Sequence, residues 1–169
     1  MSNTETSASK TELVYPDIRF AVISDPHFYA EELGKTGSAF ENAGNPADTI
    51  FAESEGLLEL AIDEILQQDV RFVLIPGDLT KDGEAASHEQ LPKCLERLTA
   101  NGVGVYVIPG NHDLNNPRSY RYEGDQQILT ANLSSDEFVN LYKPFGYGQA
   151  LLRHDGSLSY VAEPAEGLW

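Results

Sequence analysis

Apolar positions along the chain gather into three short runs, separated by longer stretches with a helical period. Residues 18–24, Ile-Arg-Phe-Ala-Val-Ile-Ser, make a short, largely apolar run suited to a buried strand. Residues 30–50 carry Gly, Asn and Glu with weak periodicity and read as a long loop. From about Ser54 the pattern turns helical: Leu57, Ala61 and Ile65 share a face with Leu58, Ile62 and Leu66, while Glu59, Asp63 and Glu64 face water. Arg71 to Ile75 is a second strand, stopped by Pro76-Gly77.

A second helix is expected over roughly 87–100, with Ser87 and Gln90 spaced as a capping box and Leu91, Leu95 and Leu98 as its apolar stripe. Pro92 sits awkwardly there, because past the first turn it removes a helical hydrogen bond, so the helix starts later or bends. Asn101-Gly102 ends it, and Val103 to Ile108 forms a third strand closed by Pro109-Gly110. This strand–helix–strand–helix–strand order predicts a parallel, right-handed α/β unit. Residues 115–133 look irregular. Ser134 with Glu137 predicts a capped helix through Tyr142, Asp155-Gly156 a hairpin turn into a strand at 158–162, and Leu168-Trp169 the opening of another strand.

The 169 residues suit one domain with a real core. Acidic residues outnumber basic ones 27 to 11, a formal charge of -16, which repels duplex nucleic acid and anionic membranes. It leaves room for a small phosphate ester, because bound divalent metals reverse the local field. Cys94 is the only cysteine, so no intramolecular disulfide forms. The Ser/Thr-rich start has no apolar run, so residues 1–12 are expected to be a disordered tail and the protein cytoplasmic.

Each predicted parallel strand ends in metal-binding side chains: Asp25 and His27, then Asp78, then Asn111 and His112. Ligands of open α/β sheets bind beyond the carboxyl ends of the strands. Asp25 and His27, two apart in an extended segment, are expected to point to the same side. Gly77 and Gly110 allow tight turns just before the functional residues. Mixed carboxylate, imidazole and amide ligands favour Mn, Fe or Zn over Ca, and Asp78 is the natural bridging carboxylate for a metal pair. His88 and His154 are expected to be solvated, and Cys94 to be packed rather than nucleophilic. Arg118 and Arg121, close after the third motif, are weaker candidates for contacting substrate phosphate.

At these residues the chain resembles the calcineurin-like metallophosphoesterases. Asp25-Pro26-His27 matches their D-x-H block, Gly77-Asp78 their G-D block and Gly110-Asn111-His112-Asp113 their G-N-H-[ED] block. The run from Gly77 to Glu84 and Phe145-Gly146-Tyr147 are similar to a bacterial subgroup related to cyclic-nucleotide phosphodiesterases. The resemblance implies an α/β fold with a β-sandwich of two mixed sheets flanked by helices, filling residues 13–169 as the N-terminal part of a longer domain. It implies that Asp25 and His27 hold one of two divalent metal ions, Asp78 bridges, and Asn111 holds the second. It also implies that His112 acts on the substrate, with Asp113 orienting it, and that a metal-activated hydroxide hydrolyses phosphodiesters such as cyclic nucleotides.

The family's downstream Gly-His-x-His block is absent from this sequence. The chain is therefore expected to lack ligands, to be inactive alone, and to associate with the missing C-terminal half of its domain. The alternative is a non-catalytic scaffold that keeps the fold and binds a partner protein.

Overall fold

The computed structural model describes residues 16–43 and 49–169. The expected tail at 1–12 lies outside the described residues. Three strands, β1 (Phe20–Val22), β2 (Phe72–Ile75) and β3 (Gly104–Val107), form a parallel sheet in the order β1-β2-β3. Phe20 lies opposite Phe72, and Phe72 opposite Gly104. The β1–β2 connection holds a short helix α1 (Ser38–Glu41) and the longer α2 (Ser54–Leu66); α3 (Ala85–Ala100) joins β2 to β3. The mixed α/β architecture expected from the sequence is therefore present.

Both longer helices cover one face of the sheet. Leu58, Ile62 and Ile65 of α2 and Leu91, Leu95 and Leu98 of α3 pack in one buried cluster with Val73, Ile75, Val105 and Val107. Each such aliphatic side chain contributes roughly 1.5–3 kcal/mol on full burial. The opposite face is more open. Phe20 stacks on Phe72 at 5.1 Å between ring centres, and Tyr106 meets Phe72 edge-on, yet Phe20 stays half exposed.

Several details differ from the sequence reading. Helix α3 begins at Ala85 rather than Ser87, and the expected Ser87–Gln90 capping box does not form. Ser87 is buried and accepts the Ala30 amide at 3.1 Å, while Gln90 reaches Glu32. Pro92 lies inside α3 without ending it. The stretch expected to be irregular holds a hairpin of β4 (Tyr120–Glu123) and β5 (Gln126–Leu129). The capping box at Ser134 and Glu137 does form and starts α4 (Ser135–Leu141). A second hairpin, β6 (Leu152–Arg153) and β7 (Tyr160–Val161), follows. Leu168 turns back to bridge Ala165, so the expected last strand is a tight turn. Among the described residues no helix is long and apolar enough to cross a membrane.

Candidate metal centre

The loop leaving β1 runs alongside the loop leaving β2. The His27 amide donates to the Asp78 carbonyl at 3.1 Å, Phe28 to Leu79 at 2.9 Å, and Lys81 back to Phe28 at 3.2 Å. Parallel pairing thus continues past the strand ends and lays Asp25 and His27 against Asp78. The loop leaving β3 closes in from the other side. A Cβ on Gly110 would stand 2.2 Å from Asp78 Oδ1, and one on Gly77 would stand 2.8 Å from the Gly110 backbone. These glycines serve this mutual approach more than a turn, although Gly77 also has φ +103°.

The ligand atoms of Asp25, His27 and Asp78 all lie within 4.8 Å of one another. These residues are not extended, contrary to the sequence reading. Asp25, His27 and Asp78 adopt left-handed backbone, with φ of +52°, +42° and +47°. The Cβ of an L-residue clashes there with the carbonyl oxygen, at a cost of roughly 1–2 kcal/mol per residue. Three adjacent strained positions carrying metal-binding side chains are the pattern of a functional site. Side chains from 25 and 27 converge because both turns curl back, not because a strand alternates.

The chemistry of the donors fits a divalent ion. His27 Nδ1 is buried and unpaired among the described residues, which is costly unless something binds it. Two carboxylates beside it supply the oxygen ligands. Asn111 is exposed and is flanked by Gly110, which abuts Asp78, and by His112, whose amide donates to Asp78 Oδ1 at 3.1 Å. Asn111 therefore rides on the loop that grips Asp78.

His112 sits beside this cluster, its ring 5.1 Å from that of His27 and edge-on to it. Its Nδ1 is 2.7 Å from the Lys81 carbonyl and 3.1 Å from Asp82 Oδ1. A carbonyl only accepts, so Nδ1 carries the proton and Nε2 is the free nitrogen of the neutral ring. The orienting carboxylate is thus Asp82, not Asp113 as the resemblance implied. Asp82 is held in turn by Lys81 Nζ at 2.5 Å and Asn116 Nδ2 at 3.3 Å. Asp113 is fully buried and accepts the amides of Leu79, Thr80 and Gly110 and the Thr80 hydroxyl, at 2.7–3.0 Å. It ties the second ligand loop to the third. Sequence reading missed Asp82 and Lys81, although both lie in the quoted run from Gly77 to Glu84.

The remaining candidates separate. Arg118 Nε lies 3.9 Å from Asp82 Oδ1 with most of its side chain exposed, whereas Arg121 pairs with Glu123 on the β4–β5 hairpin. His88 is not solvated: it is fully buried, Nδ1 meeting the Tyr142 hydroxyl at 2.9 Å and Nε2 the Asp113 carbonyl at 3.0 Å. Burial lowers its pKa, more strongly than nearby Asp113 raises it. Burial and neighbouring Glu59 push the Cys94 thiol up to about 12, as expected for a packed cysteine. His154 is exposed, also as expected. Beside the cluster opens a cleft of about 520 Å³, with Asp25, His27 and His112 on one wall and Phe51, Leu57 and Leu58 on another.

Comparison with known proteins agrees with this geometry. A probable cyclic nucleotide phosphodiesterase of Coxiella burnetii is 34% identical over 96 residues, covering 57% of this chain and 32% of that protein. YhaO of Bacillus subtilis, an uncharacterized metallophosphoesterase, is 43% identical over 54 residues, covering 31% of this chain and 13% of that protein. The chain thus matches about a third or less of the length of these relatives. The family model for calcineurin-like phosphoesterases matches residues 18–165. With that match spanning the sheet, both long helices and the loops that carry Asp25, His27, Asp78 and Asn111, the chain belongs to the calcineurin-like phosphoesterase family.

Proposed function

We propose that this chain forms the part of a phosphodiesterase active site that holds metal and supplies a proton-transfer histidine. The observation that carries the proposal is the convergence of Asp25, His27 and Asp78, each in left-handed backbone, beside His112. Asp25, His27 and Asp78 would hold a first divalent ion, and Asp78 with Asn111 a second; Mn, Fe or Zn suits this donor set. Such ions supply positive charge to phosphoryl oxygens and lower the pKa of an attacking water. The name of the Coxiella relative supports a phosphodiester, with a cyclic nucleotide as the class to test first.

The protein's own groups do the rest. With Nδ1–H held by Lys81 and Asp82, His112 presents Nε2 as its working atom. The Asp82 carboxylate stabilises the imidazolium, so the ring can carry a proton to a departing alkoxide. Arg118, reaching toward Asp82 from outside, is a candidate for contacting a substrate phosphate oxygen. A small phosphoester is the favoured partner, since the charge of -16 disfavours duplex nucleic acid and anionic membranes. The lone cysteine is compatible with a cytoplasmic site of action. A pure scaffold would have no use for three strained ligand positions.

The test is His112→Ala in the metal-loaded protein. It should lower kcat by about 10²–10⁴, the range for general acid–base help, with metal content unchanged. The loss should shrink for nitrophenyl esters, whose leaving group departs without a proton. Asp25→Ala should lose metal and activity together. Equal loss of metal in both variants would make His112 a ligand and sink the acid role.

A further inference from the structure

Glu84 is a buried carboxyl for which neither the metal cluster nor the helix it precedes accounts. It is fully buried, at the N-cap of α3, yet its side chain makes no capping bond to the helix. Its backbone is secured independently: Glu84 bridges Asn132, and the neighbouring Ala85 amide donates to the Ala131 carbonyl at 2.8 Å. The side chain instead turns back along the loop, and Oε2 accepts the Asp82 amide at 3.1 Å. The other oxygen, Oε1, is buried with no partner among the described residues. A half-satisfied buried carboxyl costs stability, and an apolar residue of similar size would avoid that cost. A feature that breaks a local rule without compensation points to a working role.

The loop it grips is the one that orients His112. Between Asp78 and Glu84, the Gly83 amide donates to Thr80 Oγ1 at 3.1 Å and the Ser119 hydroxyl to the Asp82 carbonyl at 2.5 Å. The Asp82 amide is left to Glu84 alone. Asp82 Oδ1 and the Lys81 carbonyl, the two acceptors of His112 Nδ1, sit on either side of that amide. We propose that Glu84 is a positioning residue for His112, its carboxyl gripping the Asp82 amide so that Asp82 and the Lys81 carbonyl fix the Nδ1–H tautomer. The inference rests on the phosphodiesterase reading only for the use made of His112; the geometry stands without it.

The groups facing Glu84 are Lys81 and Asp82 in its own loop, Tyr29 from the loop after β1 and Tyr122 from β4. Burial raises the Glu84 pKa to about 7 against the pull of Lys81 and two backbone amides. The grip can therefore be watched through the Asp82 amide as Glu84 ionises.

The experiment is nuclear magnetic resonance on the metal-free chain, with ¹⁵N-labelled histidine rings to report tautomers and amide spectra recorded between pH 5 and 9. In wild type, His112 should show a single Nδ1–H tautomer, and the Asp82 amide should shift with a midpoint near 7. Glu84→Gln, whose amide oxygen can still accept, should keep the tautomer and abolish the shift. Glu84→Ala should lose the single tautomer. A folded Glu84→Ala chain with an unchanged His112 tautomer overturns the proposal. If that variant does not fold, the wild-type chain decides: an Asp82 amide whose pH response is the same in wild type and in Glu84→Gln overturns it equally. Because the readout needs neither metal nor turnover, a fixed tautomer in a protein that hydrolyses no phosphodiester would sink the function and leave this inference standing.

Discussion

Replacing Asp113 by Ala separates the two roles that an acid next to His112 can have. In the structure Asp113 makes no contact with the His112 ring; its carboxylate accepts Leu79 N at 3.0 Å, Thr80 N at 2.9 Å and Gly110 N at 2.7 Å. Leu79 and Thr80 are fully buried, so their amides would be orphaned, while Gly110, partly exposed, can turn to water. The Thr80 hydroxyl, which donates to Asp113, would lose its acceptor too, because His88 Nε2 carries the proton it gives the Asp113 carbonyl and can only donate to Thr80. Three buried donors at about 1–3 kcal/mol each, with a smaller penalty at Gly110, predict a destabilisation of roughly 3–9 kcal/mol. Against a typical total stability of about 5–15 kcal/mol this is severe. Urea denaturation should rank Asp113→Ala as the least stable, Asp113→Asn as intermediate and wild type as the most stable. Asn keeps one acceptor but turns an NH₂ toward an N–H, so it should cost less than Ala and more than nothing. A loss below about 1 kcal/mol for Asp113→Ala, combined with a collapse of kcat, would refute the structural role and restore Asp113 to the chemistry.

Two further outcomes follow from the same loops. Glu84 has a folded-state pKa of about 7 against an ordinary 4.5, so burying it costs least below pH 4.5, where it is neutral in both states, and stability falls as pH rises from there through 7. The shift corresponds to about 3 kcal/mol, and urea melts from pH 4 to 8 should show that decline in wild type and not in Glu84→Gln. Gly110→Ala puts a methyl 2.2 Å from Asp78 Oδ1, against backbone that cannot yield cheaply, so calorimetric titration with Mn or Zn should show metal uptake weakened at least tenfold. Unaltered affinity in that variant would mean the third loop can shift without disturbing Asp78.

The parallel β1-β2-β3 sheet and the helices over it were legible because their apolar periods are simple and their ends are marked by Pro-Gly and Asn-Gly. Asp25, His27 and Asp78, which the structure brings within 4.8 Å of one another, stood out as candidates because each follows a strand. What failed was local geometry decided by tertiary partners. Ser87 looked like a cap, but the buried Ala30 amide claimed it. His88 looked like a first-turn surface residue, but Tyr142 and Asp113, distant in sequence, surround it. Asp113 stands beside His112 in the chain and turns away from it, while Asp82, about thirty residues earlier, supplies the contact. Adjacency in sequence says little about which side chain an imidazole meets, and no periodicity marks Asp82 or Glu84 as members of one turn. The left-handed backbone at Asp25, His27 and Asp78 carries no glycine signal, so it could not be read in advance.

That strained trio also sets an evolutionary gradient. Each of the three positions would be more comfortable as glycine, which occupies left-handed backbone without the steric penalty. If the proposed catalysis is under selection, the carboxylates and imidazole are retained at the expense of stability. Once selection for it lapses, every drift toward glycine at 25, 27 or 78 removes strain, so loss of the site should be quick and hard to reverse. Among descendants of this sequence, glycine at any one of these positions would mark a copy that has lost the proposed metal site. Deep sampling of relatives should find such substitutions in pairs or triples more often than singly, because the first one ends the function that kept the other two in place.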